Sequence, residues 1–346
     1  MRKVLVTLLL LALLGTPVYA LDITAPEAPE QVQDLMPEEP ETFGEGLWYV
    51  VKHAIAKLQP SLTEAAGSCL SVVAAALLTA TMRSLPGEGK RITELVCTFV
   101  TAAVLLAPAH SLISLGADTV EQLSEYGKLL LPVMTAAMAA QGAGVTSAAL
   151  YTGTAVFDTI LGSLISSLLV PAMYIYLALS VANGAVGEEM LAKLRDFVKW
   201  LMTWALKIVL YVFMGYMGVT GVISGSADAS ALKVTKIAIS GMVPLVGGIL
   251  SDASEAILVS AGVVKSAVGL YGLLALLALW IEPFLRIGIQ YLLLKLTGAI
   301  CGVFGNKQAT DLIGDFSTAL GLLLAMTGTM CLLLLISTVC FVKGVA

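Results

Sequence analysis

Residues 129–187 read LLLPVMTAAMAAQGAGVTSAALYTGTAVFDTILGSLISSLLVPAMYIYLALSVANGAVG, and within them the only Asp, Glu, Lys, Arg or His is Asp158. About 20 apolar residues in a helix cross the ~30 Å hydrocarbon layer of a bilayer. The stretch therefore holds two spans, broken near Gln141-Gly142-Ala143-Gly144 or just after it.

The whole chain has the same character. Of its 346 residues 58% are hydrophobic and 12% charged, with a mean hydropathy of +0.93. Soluble domains carry about twice that charged fraction. So few charges cannot cover a water-facing surface, and the apolar excess has lipid as its solvent.

Outward from the opening stretch, further spans are expected at 67–82, 95–115, 200–223, 258–281, 286–303 and 320–342. The expected fold is all-α, a polytopic helical membrane protein of seven or eight transmembrane helices, one of them broken or re-entrant. Residues 67–346 form this multi-pass domain. Residues 83–94, 117–126 and 188–199 read as polar or charged connections. Glu282 and Pro283 read as a tight turn between two spans, or as part of a continuing helix in which Glu282 neutralises Arg286 four residues on.

The N-terminal region divides in three. Arg2 and Lys3 precede the short apolar core Val4–Leu14, and Val18-Tyr19-Ala20 supplies a small-residue cleavage site, so residues 1–20 read as a signal peptide. Residues 21–46 hold eight acids, four prolines and no base. That composition reads as a mobile extracytoplasmic segment. Residues 47–66 repeat apolar positions at three- and four-residue steps, which predicts an amphipathic helix at the membrane surface or against a partner. Basic residues favour the cytoplasmic side. An outside N-terminus places Arg83, Lys90 and Arg91 inside and the acids Asp118, Glu121 and Glu125 outside.

Most chemistry lacks an anchor. Beyond residue 46 there are 16 acids against 17 bases, and no basic face suggests nucleic acid. The five cysteines sit in or beside apolar runs without a CxxC pair, which reads as packing. Gly87-Glu88-Gly89-Lys90 has Ser84 where a phosphate loop needs glycine and Arg91 where it needs a hydroxyl. HExxH and GxSxG motifs are missing, and His53 and His110 stand alone. No cofactor, metal ligand or catalytic residue is expected.

What remains are ionisable and backbone-breaking residues inside apolar runs, where a charge costs about 2.5–3.5 kcal/mol at a helix centre. Asp158 is one, as a polar lining, an inter-helix contact, or a residue near a turn. Glu282, Pro283 and Arg286 form a second group. The third is VPLVGGILSDASE at 243–255, where Pro244, Gly247 and Gly248 break the apolar run and Asp252 with Glu255 resembles a helix cap. A broken helix before a capped one suggests a re-entrant element, and a surface loop is the competing reading. Gly221 with Gly225, and Gly298 with Gly302, have the four-residue spacing that permits close helix packing.

LPVMTAAMAAQG at 131–142, VPLVGGILSDA at 243–253, VKSAVGLYG at 264–272 and the Glu282-Pro283 pair resemble the stage III sporulation protein AE family of endospore-forming bacteria. The resemblance implies a non-enzymatic subunit in the mother-cell membrane, facing the forespore. Its implied partners are the other stage III sporulation AA-to-AH proteins and, from the forespore side, stage II sporulation protein Q. Together they are thought to form a channel-like connection needed for late forespore development. A self-sufficient small-molecule permease is the other reading; it calls for matching broken helices in two repeats, and one broken segment is visible.

Overall fold

The computed structural model describes residues 25–37, 42–84, 90–140, 144–219, 267–303 and 307–343. Among them there are no strands. The elements are a 3-10 helix at Glu30–Leu35, α1 (Phe43–Lys57), α2 (Gln59–Ser84), α3 (Lys90–Ala140), α4 (Gly144–Leu164), α5 (Val170–Val186), α6 (Glu189–Val219), α7 (Ala267–Val303) and α8 (Lys307–Lys343). A π-helical turn, Ile165–Leu169, joins α4 to α5 without a break. It ends just before Pro171, which has no amide hydrogen to offer the Ser167 carbonyl.

Among the described residues six helical units are long and apolar enough to cross a membrane. The chain is an all-α polytopic fold, and several described helices run longer than the apolar runs suggested. Helix α3 runs unbroken through Ala117–Tyr126. Asp118, Glu121 and Glu125 point outward there, while Val120, Leu123 and Tyr126 are buried. Acids at three- and four-residue steps share one face, so the charge that suggested a connection is compatible with a helix. The charged residues 189–199 are likewise the first turns of α6, with Lys193 and Glu189 paired at 2.9 Å. Helix α7 passes through Pro283 without ending. The expected break near Gly142 falls at residues 141–143, outside the described residues, with α3 described to Ala140 and α4 from Gly144.

At the N-terminal side, residues 25–37 are docked on the bundle, unlike the mobile segment their composition suggested. Ala28, Val32, Leu35 and Met36 are buried, and Glu27, Glu30 and Asp34 face out. The Ala28 amide donates to the Tyr271 hydroxyl at 3.2 Å, and the Tyr126 hydroxyl donates to the Pro26 carbonyl at 3.3 Å. Four apolar side chains on one flank are enough to anchor the segment while its acids stay solvated. Helix α1 is capped by Thr42, whose hydroxyl accepts from the Glu45 amide at 3.3 Å, and buries Phe43, Gly46, Val50 and Ala54. It ends at Leu58, and α2 begins with Pro60 in its first turn, where the missing amide costs nothing.

Helix α8 is the centre of the bundle; its apolar core has most of its residues buried by the surrounding helices. Its neighbours' directions follow from their contacts. Gly116 and Gly127 of α3 lie under Leu323 and Leu334 of α8, so these two helices run parallel. Gly298 and Gly302 of α7 face Ile313 and Thr310, which makes α7 antiparallel. Thr154 meets Ser337 and Tyr176 meets Asp315, so α4–α5 is antiparallel as well. Helix α6 runs with α8, because Arg195 reaches Asp315 near one end and Tyr216 reaches the carbonyl of Ala149, early in α4, towards the other.

This alternation puts the start of α2 and the end of α8 on the same side if each unit crosses once. Topology reporters inserted ahead of α2 and fused after Ala346 are expected to report one compartment. Opposite compartments for the two positions would show an odd number of crossings.

Candidate functional site

The interior holds three polar constellations, each built from residues on different turns of long helices. The first lies where α3, α4 and α8 meet. Asp158 sits midway along α4 and is 1% exposed. The Ser124 hydroxyl of α3 donates to its Oδ2 at 2.8 Å, and its Oδ1 has no hydrogen-bond partner among the described residues. One turn earlier, the Thr154 hydroxyl donates to the Ser337 hydroxyl of α8 at 2.9 Å, and Ser337 in turn donates to the Leu333 carbonyl. From α6, the Tyr216 hydroxyl donates to the Ala149 carbonyl at 2.7 Å while its ring lies against Gly153. Phe157 packs edge-on against Phe213, 5.4 Å between centroids. Helix α4 is thus fastened by polar contacts to three neighbours.

The second constellation joins α5, α6 and α8. The Arg195 guanidinium meets Asp315 at 2.7 Å and Asp196 at 2.9 Å, and the Tyr176 hydroxyl donates to the other oxygen of Asp315 at 3.4 Å. Arg195 and Asp315 are both mostly buried. Sequence reading missed this group: Arg195 lay in a stretch read as a loop, and nothing in the chain links residues 120 positions apart. The available signal was Asp315 itself, an acid ahead of an otherwise uncharged run.

The third is within α7, where Glu282 and Arg286 pair at 3.1 Å across one helical turn, with Pro283 between them. Arg286 Nε is buried without a partner among the described residues. The three groups are separate, and nothing brings Asp158 to Glu282 or Arg286.

Other expected positions fall elsewhere. Gly298 and Gly302 lie beside α8, where an added Cβ would stand 3.5 and 3.8 Å from Ile313 and Thr310, ordinary contact distances. The close approaches are at Gly127 and Gly272, where a Cβ would come to 2.8 Å from Leu334 and 2.6 Å from Leu130. Gly116 and Gly153 are closer still to Leu323 and Tyr216. Pro244, Gly247, Gly248, Asp252, Glu255, Gly221 and Gly225 lie outside the described residues. A cavity with room for about one water lies between α2, α3, α7 and α8, lined by Ser68, Pro108, Gln290 and Phe316. Among the described residues no three His, Cys, Asp or Glu side chains converge as metal ligands, and all five cysteines are buried and outside any disulfide. The arrangement can hold helices in register and bury a small number of charges.

The model of the stage III sporulation protein AE family matches residues 40–344, and the chain belongs to that family. It is 21% identical over 197 residues to stage III sporulation protein AE of Bacillus subtilis (strain 168), an alignment covering 57% of this chain and 49% of that relative. The chain thus matches about half the length of the curated relative. No solved structure matches it.

Removing one partner of a buried ion pair leaves the other charged and desolvated, at a cost of about 3–5 kcal/mol. Arg195→Ala and Asp315→Ala are each expected to lower the unfolding midpoint in detergent. The double variant is expected to lose less than the two single losses added together. Strict additivity would show that the pair does not couple α6 to α8.

Proposed function

We propose that this chain is a non-enzymatic integral membrane subunit of the channel-like assembly that links mother cell and forespore. Its membership of a stage III sporulation family carries the reading, and a sporulation role follows from that membership directly. The other stage III sporulation proteins AA to AH would be its partners in the mother cell, and stage II sporulation protein Q would meet the assembly from the forespore side. Late forespore development would depend on it.

The physical form supports an assembly part. Polar groups in the bundle interior are spent on contacts between helices in two of the constellations described above, and on a pair within α7 in the third. Helix α3 has 51 residues, about 75 Å at 1.5 Å per residue, far more than a ~30 Å hydrocarbon layer covers. Part of the bundle therefore stands clear of the hydrocarbon, where another protein can reach it.

Charge supports an orientation. The ends of α2, α5 and α7 and the starts of α3, α6 and α8 lie at one end of the bundle. Arg83, Lys90, Arg91, Lys193, Arg195, Lys199 and Lys307 belong to those segments, and bases favour the cytoplasm. The acidic residues 25–37 pack towards the opposite end, through Tyr126 and Tyr271. The mother-cell cytoplasm would then lie at the basic end.

Deletion in a sporulating host is expected to arrest development after engulfment and leave vegetative growth unchanged. Wild-type spore yield from the deletion strain would refute the assignment. Solute movement by the purified chain alone in liposomes would favour a self-sufficient permease instead.

A further inference from the structure

Among the described residues, three acids of the long helices are withdrawn from the surface, Asp158, Glu282 and Asp315, and they are not equivalent. Asp315 has the Arg195 guanidinium at 2.7 Å, and Glu282 has that of Arg286 at 3.1 Å. Asp158 forms no ion pair among the described residues and is the most deeply buried of the three. Its Oδ2 takes one hydroxyl hydrogen, from Ser124, and its Oδ1 takes none.

An ionised carboxylate removed from water needs a cation or several donors; with neither, the cheaper state is the neutral acid. Every packed element bears this out. Helix α8 carries no charged residue between Asp315 and Lys343, and α6 carries none between Lys207 and Val219. From these helices Asp158 and its neighbours meet Ser337, Phe213 and Tyr216. Helix α3 offers Ser124 on the buried side, with Glu121, Glu125 and Lys128 all on its exposed surface, Lys128 acting on Asp158 from a distance without pairing with it. On α4 itself no other residue is ionisable apart from Tyr151, which is exposed.

We propose that Asp158 is a proton-binding site built into the seam of α3, α4 and α8, holding a proton where Asp315 and Glu282 each hold a guanidinium. Ser124 is the positioning residue. Its hydroxyl fixes Oδ2 and leaves Oδ1 to bear the proton. The site binds and releases a proton without any change in covalent structure. It rests on the membrane reading of the bundle, and its use in development rests on the proposed sporulation role.

The test is reaction of the full-length protein, in membranes at neutral pH, with the apolar reagent dicyclohexylcarbodiimide. A protonated carboxyl in an apolar setting adds across the reagent and rearranges to a stable acylurea that peptide mass spectrometry locates. Modification is expected at Asp158 and not at Asp315 or Glu282. It is expected to vanish in Asp158→Asn and persist in Asp158→Glu. Failure to modify Asp158, or equal modification of all three acids, would overturn the proposal, and this readout on the native chain stands whatever the protein does in the cell. In sporulating cells Asp158→Asn, which keeps the side chain's shape but cannot exchange its proton, is expected to lose spore yield at normal protein level, with Asp158→Glu restoring it. Wild-type yield from Asp158→Asn would show that the proton is not exchanged in function.

Discussion

In hydrocarbon no water is present to satisfy backbone amides and carbonyls, so each must find its partner within the same segment or a close neighbour. That constraint is visible throughout α8, the helix most enclosed by others. It is uncharged between Asp315 and Lys343, and most of its hydroxyls are settled internally, with Ser317 Oγ buried and without a partner among the described residues. Thr327, Thr329, Ser337 and Thr338 each donate to a carbonyl three or four residues back along the helix. With its polarity folded inwards, α8 presents a nearly pure packing surface. Gly116 and Gly127 of α3 admit Leu323 and Leu334, steps of eleven residues on both helices. Eleven residues are about three helical turns, so one face of α3 meets one face of α8 in parallel register. The remaining helices are arranged around that contact.

Polar side chains then decide how the outer helices attach. Without a hydrophobic drive between helices in lipid, packing and interhelical hydrogen bonds have to supply the association. Ser124–Asp158 ties α3 to α4, Thr154–Ser337 ties α4 to α8, and Arg195–Asp315 ties α6 to α8. The Tyr216 hydroxyl closes α6 onto α4. These contacts sit at different heights along the bundle, so α4, α6 and α8 are each held at more than one point. A chain with 12% charged residues has few such groups to use, and among the described residues several of them are placed between helices.

The solvent was legible in the sequence, and much of the chain's punctuation was not. The uncharged length at 129–187 was read as two spans, whereas it holds the end of α3, which begins at Lys90, and one continuous unit from Gly144 to Val186. At Pro283 and at Ala117–Tyr126 the local signals favoured interruption, but the helices continue because their neighbours cover one face throughout. Pro283 lies beside Phe284, whose ring packs tilted against Trp280, and the acids of α3 share a single outward face. Residues 25–37 were read from their acids, whereas four apolar side chains fix their position. Four-residue glycine spacing drew the eye to Gly298 and Gly302, while the glycines lying beneath a neighbour's side chain stand alone in sequence, as Gly127 and Gly272 do. Close approach depends on what the facing helix places there, and a single chain read linearly does not reveal it. For the same reason Asp158 could be singled out as a buried acid, but Ser124, thirty-four residues away, could not be named as its partner.

All of this presumes lipid around the outward apolar side chains, among them Leu70, Leu78, Phe99, Ile175, Trp200 and Leu296. Alkaline carbonate washing of membranes from expressing cells, followed by sedimentation, examines that premise directly. The protein should stay wholly with the membrane pellet and leave it only when detergent dissolves the bilayer. Recovery as a monodisperse species in the detergent-free aqueous supernatant would contradict the account.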